Sequence, residues 1–361
     1  MTETTHKPEG SPPRLDMDEP TQVRRRLADN APTTLAGQVR ENLFYLRGRG
    51  ALEIGIIFAV LLVVYALLGA RGGFPFFTES NLSGVITQNV PVLALLAIGV
   101  GVLMVAGEFD LSIGFSIAFS GIVFIKVANE HGWLLGLVAA LAASVGAALV
   151  NGLITVYTRI PSFIATLGMG FVWKGASILV NGVSPAILIP DAQTGAFEKI
   201  FTGDFGFFQS PLLWMCAVGV VAWGMLHRHR LGNKIYAVGG NASAAKAVSI
   251  KPNLVKLQAF AFLGVMVGLS AVLIAARTTT MQPTGTENYT LLAVAAAVVG
   301  GCSLTGGRGT ILGMIIGAAM IRCIDNGLVL GHAPGYYRES FLGVAIVAAA
   351  IFNKFMEGKA T

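Results

Sequence analysis

Two carboxylates stand between two apolar runs of this sequence, Glu108 and Asp110 in the stretch Gly107–Gly114. A carboxylate held at the depth of an apolar phase costs about 3 kcal/mol or more unless it meets water, a partner charge or a dipole. The pattern allows two interpretations, which the sequence leaves open. The pair forms a short polar turn at a surface, or it lines a cavity at a broken helix, where Asp110 caps the helix that follows.

Signatures of catalytic sites are missing from the sequence. It contains no GxxxxGK[ST], HExxH or GxSxG motif. The three cysteines, Cys216, Cys302 and Cys323, match neither a metal-binding spacing nor CxxC, which favours small apolar filler in helices. We therefore predict that this chain is not an enzyme and binds no metal, ATP or other cofactor itself.

The composition indicates lipid as the solvent. Of 361 residues, 54% are hydrophobic and 12% are charged, whereas soluble domains carry about a quarter charged residues. A membrane-spanning helix needs about 20 mostly apolar residues. The predicted fold is an all-α integral membrane protein. Hydropathy places about ten transmembrane helices at 54–70, 84–106, 111–128, 133–157, 163–181, 211–226, 257–276, 291–301, 310–323 and 340–353.

The segment 291–301 is too short to cross about 30 Å of hydrocarbon by itself. Glycines follow it closely, at Gly300, Gly301, Gly306 and Gly307. Short segments interrupted by glycine are typical of broken helices in transporters. We therefore predict a re-entrant or broken helix here.

Basic residues set the orientation, because cytoplasmic loops carry an excess of Lys and Arg. Six arginines lie within residues 24–49, and the loop 227–256 carries six basic residues and no Asp or Glu. Ten spans with both termini in the cytoplasm satisfy this distribution. The region 1–50 lacks a sustained apolar run and is predicted to be a largely disordered cytoplasmic tail, followed by a membrane domain over 51–361.

A weak internal repeat indicates two related halves. Residues 105–114 resemble 299–307, and Asn151-Gly-Leu153 resembles Asn326-Gly-Leu328. Duplicated halves are common in transporters. The matches are short, and chance similarity remains the alternative.

The basic loop 227–256 contains a predicted short helix. Asn241 is a suitable N-cap for Ala242–Val248, and Pro252 is expected to close the helix. Small residues on its face permit close docking, and Lys246 offers a charge to an acidic partner. The alternative is a plain basic loop on the cytoplasmic side.

Four blocks of the sequence carry motifs of transporters. They are 107–114 (GEFDLSIG), 160–168 with 174–175 (IPSFIATLG and KG), 235–245 (IYAVGGNASAA), and 282–286 with 299–307 (QPTGT and VGGCSLTGG). In this order they resemble GGIDLSVG, PPFIxTLG…RG, IYAIGGNxxAA and QPTAG…VVLGGTSLxGGxG of the ribose-type sugar permeases of ATP-binding-cassette importers. The resemblance covers the chain from about residue 84 to its end. Glu108 and Phe109 replace the usual Gly-Ile, Thr290 and Leu292 replace a usual Glu and Asp, and Lys174 replaces an Arg.

The resemblance implies a permease subunit of the bacterial inner membrane that translocates a small sugar or polyol. It implies an ATPase, an extracytoplasmic sugar-binding protein and a second permease copy as partners, with no nucleic acid. The short helix of 227–256 would dock on the ATPase through Gly239, Gly240, Asn241, Ala244, Ala245 and Lys246. Hydrogen-bonding and lining groups for a neutral solute are expected from Gln88, Asn89, Glu108, Phe109, Asp110, Ser112, Thr166 and Gln282.

An ion-coupled secondary transporter of a small polar solute is the alternative. It predicts carboxylates or histidines in the middle of spans, acting as proton or sodium relays. Lys126 and Lys174 are the clear ionisable residues well inside the predicted spans, and neither has an acid partner evident from spacing. The sequence therefore favours the ATP-driven importer.

Overall fold

The computed structural model describes residues 51–193, 195–335, 337, 340, 343, 344 and 347. Nearly all regular structure in this part of the chain is helical, which confirms the all-α prediction. The predicted tail 1–50 and most of the predicted span 340–353 lie outside the described residues.

The long apolar helices follow the hydropathy of the sequence. Their bounds are α1 Ala51–Ala70, α2 Glu79–Val105, α3 Ile113–His131, α4 Trp133–Thr158, α5 Ser162–Asn181, α6 Ser210–His227, α9 Pro252–Thr278, α10 Asn288–Val299 and α11 Ile311–Leu330. Among the described residues, seven of these are long and apolar enough to cross a membrane, whereas α1 and α10 contribute shorter apolar helices. Each corresponds to a predicted span, with α11 ending seven residues later than expected.

Helix α2 forms the centre of the bundle. Every residue of Val90–Val105 is buried, and the helix packs against α6, α9, α10 and α11. This burial follows from the sequence, because a helix that is apolar on all sides finds its partners on all sides. The preceding turns, Ser83–Asn89, are wound as a π-helix.

Helices α4 and α9 form a close pair through small residues. A methyl group at Gly264 would lie 2.6 Å from the Cα atom of Val145 and 2.9 Å from the carbonyl oxygen of Ser144. Glycine at such contacts lets two membrane helices approach backbone to backbone. This pair fixes the position of α9.

Helices α2 and α10 end in the same way. After α2, Gly107 has φ 85° and the amide of Glu108 donates to the carbonyl of Leu103 (3.1 Å). After α10, Gly301 has φ 86° and the amide of Cys302 donates to Ala297 (2.9 Å). Both are Schellman ends, in which a glycine adopts the left-handed conformation. We name residues 106–112 break loop 1 and residues 300–310 break loop 2.

The two break loops agree with the predicted similarity between residues 105–114 and 299–307. Each loop follows a helix with a Schellman end and leads into another apolar helix. The second predicted pair does not occupy equivalent places. Asn151 lies on the second helix after break loop 1, whereas Asn326 lies on the first helix after break loop 2. The similarity between Asn151-Gly-Leu153 and Asn326-Gly-Leu328 therefore does not reflect equivalent positions in the bundle.

The predicted loop 227–256 contains two helices, α7 (Arg230–Gly240) and α8 (Ala242–Ala247). The predicted cap is confirmed, because the Asn241 side chain accepts a hydrogen bond from the amide of Ala244 (2.9 Å). The expectation that Pro252 only closes this helix was wrong: Pro252 is the first residue of α9. Proline suits a first helical turn, where its missing N–H needs no partner.

Four two-residue strands belong to the connections. Strand β1 (Ala186–Ile187) pairs antiparallel with β4 (Thr280–Met281), and β2 (Asp204–Phe205) pairs with β3 (Phe208–Gln209). The first pair ties the loop after α5 to the chain leaving α9. Both lie on the side that the basic residues predict to be extracytoplasmic.

The α4–α9 contact predicts a sharp difference between two glycines. Gly264→Ala should lower the stability of the protein by about 1–3 kcal/mol, because its methyl group meets backbone atoms. Gly146→Ala on α4 is the matched control, since that position faces open space. Melting temperatures in detergent measure both. Equal melting temperatures for the two variants would contradict the close backbone contact.

Candidate functional site

Break loop 1 is held by hydroxyl groups of α5. The amide of Phe109 donates to Ser162 Oγ (3.0 Å), and the amide of Leu111 donates to Thr166 Oγ1 (2.9 Å). Non-helical backbone among apolar helices must find such acceptors, because unpaired N–H groups are costly there. Thr166, predicted to line a path, is fully buried and acts here as an anchor of the loop.

Asp110 lies at the centre of a directional hydrogen-bond chain. Its Oδ1 accepts from the amide (2.7 Å) and hydroxyl (2.6 Å) of Ser112, and its Oδ2 accepts from Asn151 Nδ2 (3.1 Å). The indole of Trp173 donates to Asn151 Oδ1 (3.2 Å) and so fixes the amide orientation. Burial raises the pKa of the Asp110 carboxyl, and the hydrogen bonds from Ser112 and Asn151 oppose that rise.

The prediction that Asp110 caps the next helix needs correction. Helix α3 begins at Ile113, and Ser112 occupies the cap position. Asp110 stands two residues earlier and accepts a hydrogen bond from the Ser112 amide, which makes a turn leading into the helix. Lys174, for which the sequence shows no evident acid partner, contacts Glu287 rather than Asp110.

Glu108 forms an ion pair with Lys256 in the first turn of α9. The Glu108 residue is buried and the Lys256 side chain is largely so, so each charge depends on the other. The pair joins break loop 1 to the helix that follows the short helices α7 and α8. In this conformation the contacts of Glu108 and Asp110 favour a role in shaping the loop.

A glycine junction joins α7 to both break loops; we define it as Gly107, Gly239, Gly306 and Gly307. A methyl group at Gly239 would overlap the carbonyl oxygen of Val105 and lie 2.7 Å from the Gly307 amide nitrogen. The Gly307 amide donates to the carbonyl of Val105 (2.9 Å), which joins break loop 2 directly to the end of α2. The Tyr236 hydroxyl of α7 donates to the carbonyl of Gly309 (2.6 Å).

The first turn of α3, directly after break loop 1, contacts the start of α10. The amide of Gly114 donates to Thr290 Oγ1 (2.8 Å), and Thr286 Oγ1 donates to the Gly114 carbonyl (2.7 Å). Residues 282–287 run alongside α3, with Met281 against Gly121 and Thr286 against Gly114. Gly114 and Gly121 are seven positions apart, which is about 10 Å along α3. The chain from Met281 to Thr286 covers this depth before α10 begins, which explains why α10 is short.

Lys174 and Glu287 form an ion pair that sequence reasoning missed, with Nζ and Oε1 3.3 Å apart. No local spacing could have found it, because the residues are 113 positions apart. Asn151, Trp173, Ser162 and Lys256 were also missed as site residues. A lone Asn within the apolar span 133–157 was the available signal for Asn151.

Three of the remaining predicted path residues, Gln88, Asn89 and Gln282, lie outside the Asp110 cluster. Asn89, in the π-helical turns, accepts a hydrogen bond from Arg277 (2.6 Å), and Gln88 is half-buried beside it. Gln282 is exposed on the extended stretch after β4, and Phe109 is half-buried in break loop 1. The predicted path residues therefore occupy three separate regions.

The predicted docking residues divide by exposure. Ala244 and Lys246 are exposed on α8, whereas Ala245 is buried against this chain, with 4% of its surface accessible. Gly239 is packed in the junction, and Gly240 faces open space. Docking through Ala244 and Lys246 remains a prediction, and the internal contacts give Gly239 and Ala245 a separate structural role.

The family of this chain follows from comparison with known proteins. Residues 81–350 match the family described as branched-chain amino acid transport system / permease component. This chain belongs to that family. Its membership makes the chain a multi-pass membrane permease that operates with an ATPase and a substrate-binding protein, and confirms that it is a transport subunit rather than an enzyme.

The curated relatives of this permease are similar along most of their length. The ribose import permease protein RbsC of Escherichia coli K12 is 33% identical over 82% of this chain and 92% of its own. The D-allose transport system permease protein AlsC of the same organism is 28% identical over 83% and 91%. The L-arabinose ABC transporter permease protein AraH of Azospirillum brasilense is 29% identical over 83% and 87%. No solved structure matches the chain.

The direction of the Asp110 hydrogen bonds predicts the effect of Asp110→Asn. The new amide would face the Asn151 amide donor, which Trp173 prevents from turning over. The variant should lose about 1–3 kcal/mol of stability, since two donors would meet without an acceptor. Thermal unfolding in detergent measures the loss.

The exchanged pair Asp110→Asn with Asn151→Asp is the control for this prediction. The amide at position 110 would then donate to the carboxylate at position 151, so the bond is reversed in direction but both groups are paired again. The thermal stability should therefore return close to that of the wild type. A double variant no more stable than Asp110→Asn would contradict the proposed direction of the chain.

Proposed function

We propose that this permease imports a small sugar or polyol, driven by ATP hydrolysis on a separate chain. The relatives support this choice of solute, because those compared above are named for ribose, D-allose and L-arabinose. The family description names branched-chain amino acids, which makes an amino acid the competing solute. The comparisons do not support the ion-coupled alternative.

One observation carries the mechanism: the glycine junction brings α7 into backbone contact with both break loops. Helix α7 leads directly into α8 through Asn241, so a displacement of α8 moves Gly239. The tight contact leaves Gly239 little room to move without displacing Val105 and Gly307. Motion at the cytoplasmic helices would thus be transmitted to the ends of α2 and α10 together.

The proposed partners follow from this transmission. The exposed residues Ala244 and Lys246 would contact the ATPase, and a second permease copy would complete the path. Both termini and helices α7 and α8 would lie in the cytoplasm, as the six basic residues of 227–256 indicate. ATP would bind the partner ATPase, with no cofactor on this chain.

Reconstitution with the ATPase and the binding protein in liposomes tests the function. ATP should drive accumulation of one radiolabelled sugar or polyol from a panel, with no effect of dissipating the proton and sodium gradients. Leucine and isoleucine belong in the panel as the competing solutes. Uptake of these amino acids alone, or uptake that follows an ion gradient without ATP, would refute the proposal.

Docking of α8 on the ATPase predicts a loss of coupling in Ala244→Asp. The new carboxylate would be buried unpaired at the interface, so complex formation should weaken and stimulated ATP hydrolysis should fall about tenfold or more. Ser184→Asp is the control, because Ser184 is a small exposed residue on the opposite side. Co-purification and ATPase rates of the two variants measure the effect. Normal assembly of Ala244→Asp would exclude this docking surface.

The glycine junction predicts different outcomes for two adjacent residues. Gly239→Ala forces α7 away from Val105, so sugar uptake should fall about tenfold or more while the ATPase still binds α8. Gly240→Ala meets no neighbour and should transport normally. The amount of sugar taken up per ATP hydrolysed, measured on complexes of equal monodispersity, distinguishes a loss of coupling from misfolding. Equal uptake per ATP in both variants would remove the junction from the mechanism.

A further inference from the structure

The ion pair Lys174–Glu287 lies deep in the bundle and is only partly covered by this chain. Lys174 follows Ser162 by 12 positions on the apolar helix α5, which places it about 18 Å along that helix. Its side chain keeps 34% of its surface accessible, and that of Glu287 keeps 33%. Charged groups at this depth avoid lipid and face protein or water.

A second observation marks the same face. Residues 282–287 run non-helically beside α3 towards Glu287, and Gln282, Thr284 and Gly285 are exposed. Irregular backbone at membrane depth is tolerated where it is buried in protein or lines a water-filled cavity. Because this stretch is exposed in the chain, the ion pair and the stretch together indicate a face turned towards a watery path.

Aromatic rings adjoin the ion pair. The Lys174 ammonium lies 6.0 Å from the centre of the Phe115 ring, and the rings of Phe119 and Trp173 stack with centroids 5.7 Å apart. The bond from the Trp173 indole to Asn151 fixes the orientation of that ring. All three rings are half-buried, so each leaves part of its surface accessible.

We propose that Lys174 and Glu287 form the polar rim of a transient monosaccharide subsite, with Phe115, Phe119 and Trp173 as its apolar wall. A sugar ring presents hydroxyls at its edge and C–H groups on its faces. The ammonium donates hydrogen bonds to hydroxyl oxygens, and the carboxylate accepts from hydroxyl protons. Because the pair is neutral as a whole, it can bind a neutral solute without holding ions tightly.

This inference rests on the proposed function for the identity of the solute, whereas water access can be measured independently. In a Cys216→Ser background, Lys174→Cys and Thr284→Cys should react with a membrane-impermeant methanethiosulfonate in the assembled importer. Val172→Cys is the control, since Val172 is exposed on the opposite side of α5 at nearly the same depth. The remaining cysteines, Cys302 and Cys323, are buried.

Reaction at positions 174 and 284, slowed by the transported sugar, supports the subsite. Failure of both cysteines to react would overturn it, because the face would then be sealed by a second copy or by lipid. Reaction as fast at Val172→Cys would also overturn it, because the reagent would then not distinguish the proposed watery face from the opposite side of α5. Reaction without protection in an importer that moves the sugar would also overturn it. A wild-type importer that moves no sugar overturns the proposed function instead, while the reactivity pattern still reports on the watery face.

Transport by charge variants separates a subsite from a structural ion pair. Glu287→Gln should lower the uptake rate about tenfold and change the preference among deoxy-sugar analogues, while ATP hydrolysis stimulated by the binding protein persists. The exchanged pair Lys174→Glu with Glu287→Lys restores the ion pair but reverses its donors and acceptors. Recovery of both the wild-type rate and preference by this pair would overturn the subsite.

Discussion

The contact between Gly239 and the carbonyl of Val105 constrains much of this permease. It brings the short helix α7 against the end of α2, the most buried of the described helices, with no side chain between the two backbones. Only glycine fits, because any Cβ atom would overlap the carbonyl oxygen. The hydrogen bond from Gly307 to the same carbonyl then brings in break loop 2. Three segments distant in sequence are therefore positioned by one carbonyl group.

Where the helices break, backbone groups lose their helical hydrogen-bond partners, and side chains of neighbouring helices replace some of them. Each Schellman end satisfies some freed carbonyls, and Ser162, Thr166 and Thr290 accept from amides of the chain that follows α2. In an apolar setting these bonds hold the loop in one conformation, since the alternative is an unpaired donor. The same requirement explains why polar residues occur within otherwise apolar helices.

The charged residues divide into two groups by burial. The pair Glu108–Lys256 is largely enclosed and joins elements of this chain, whereas Lys174–Glu287 is one-third accessible. Asp110 is buried among neutral donors rather than beside a cation. Burial thus distinguishes the charges that this chain encloses from the Lys174–Glu287 pair, which keeps part of its surface accessible.

The sequence by itself determined the helices, the breaks and the family. Apolar runs of about 20 residues, glycines shortly after Val105 and Val299, and Asn241 before Ala242 act locally, so they can be read along the chain. The blocks from residue 107 to residue 307 indicated a permease, which the family match confirmed.

Only the tertiary structure decided which groups meet. Glu108 and Lys256 are 148 positions apart, and Lys174 and Glu287 are 113 apart, so no periodicity connects them. The sequence identified Gly239 as part of a motif, but packing placed it against Val105 rather than on an exposed docking face. Asp110 likewise looked like a cap or a path residue until its neighbours were known. The physical reason is that helix formation depends on neighbours in sequence, whereas the partner of a polar group depends on how the helices pack.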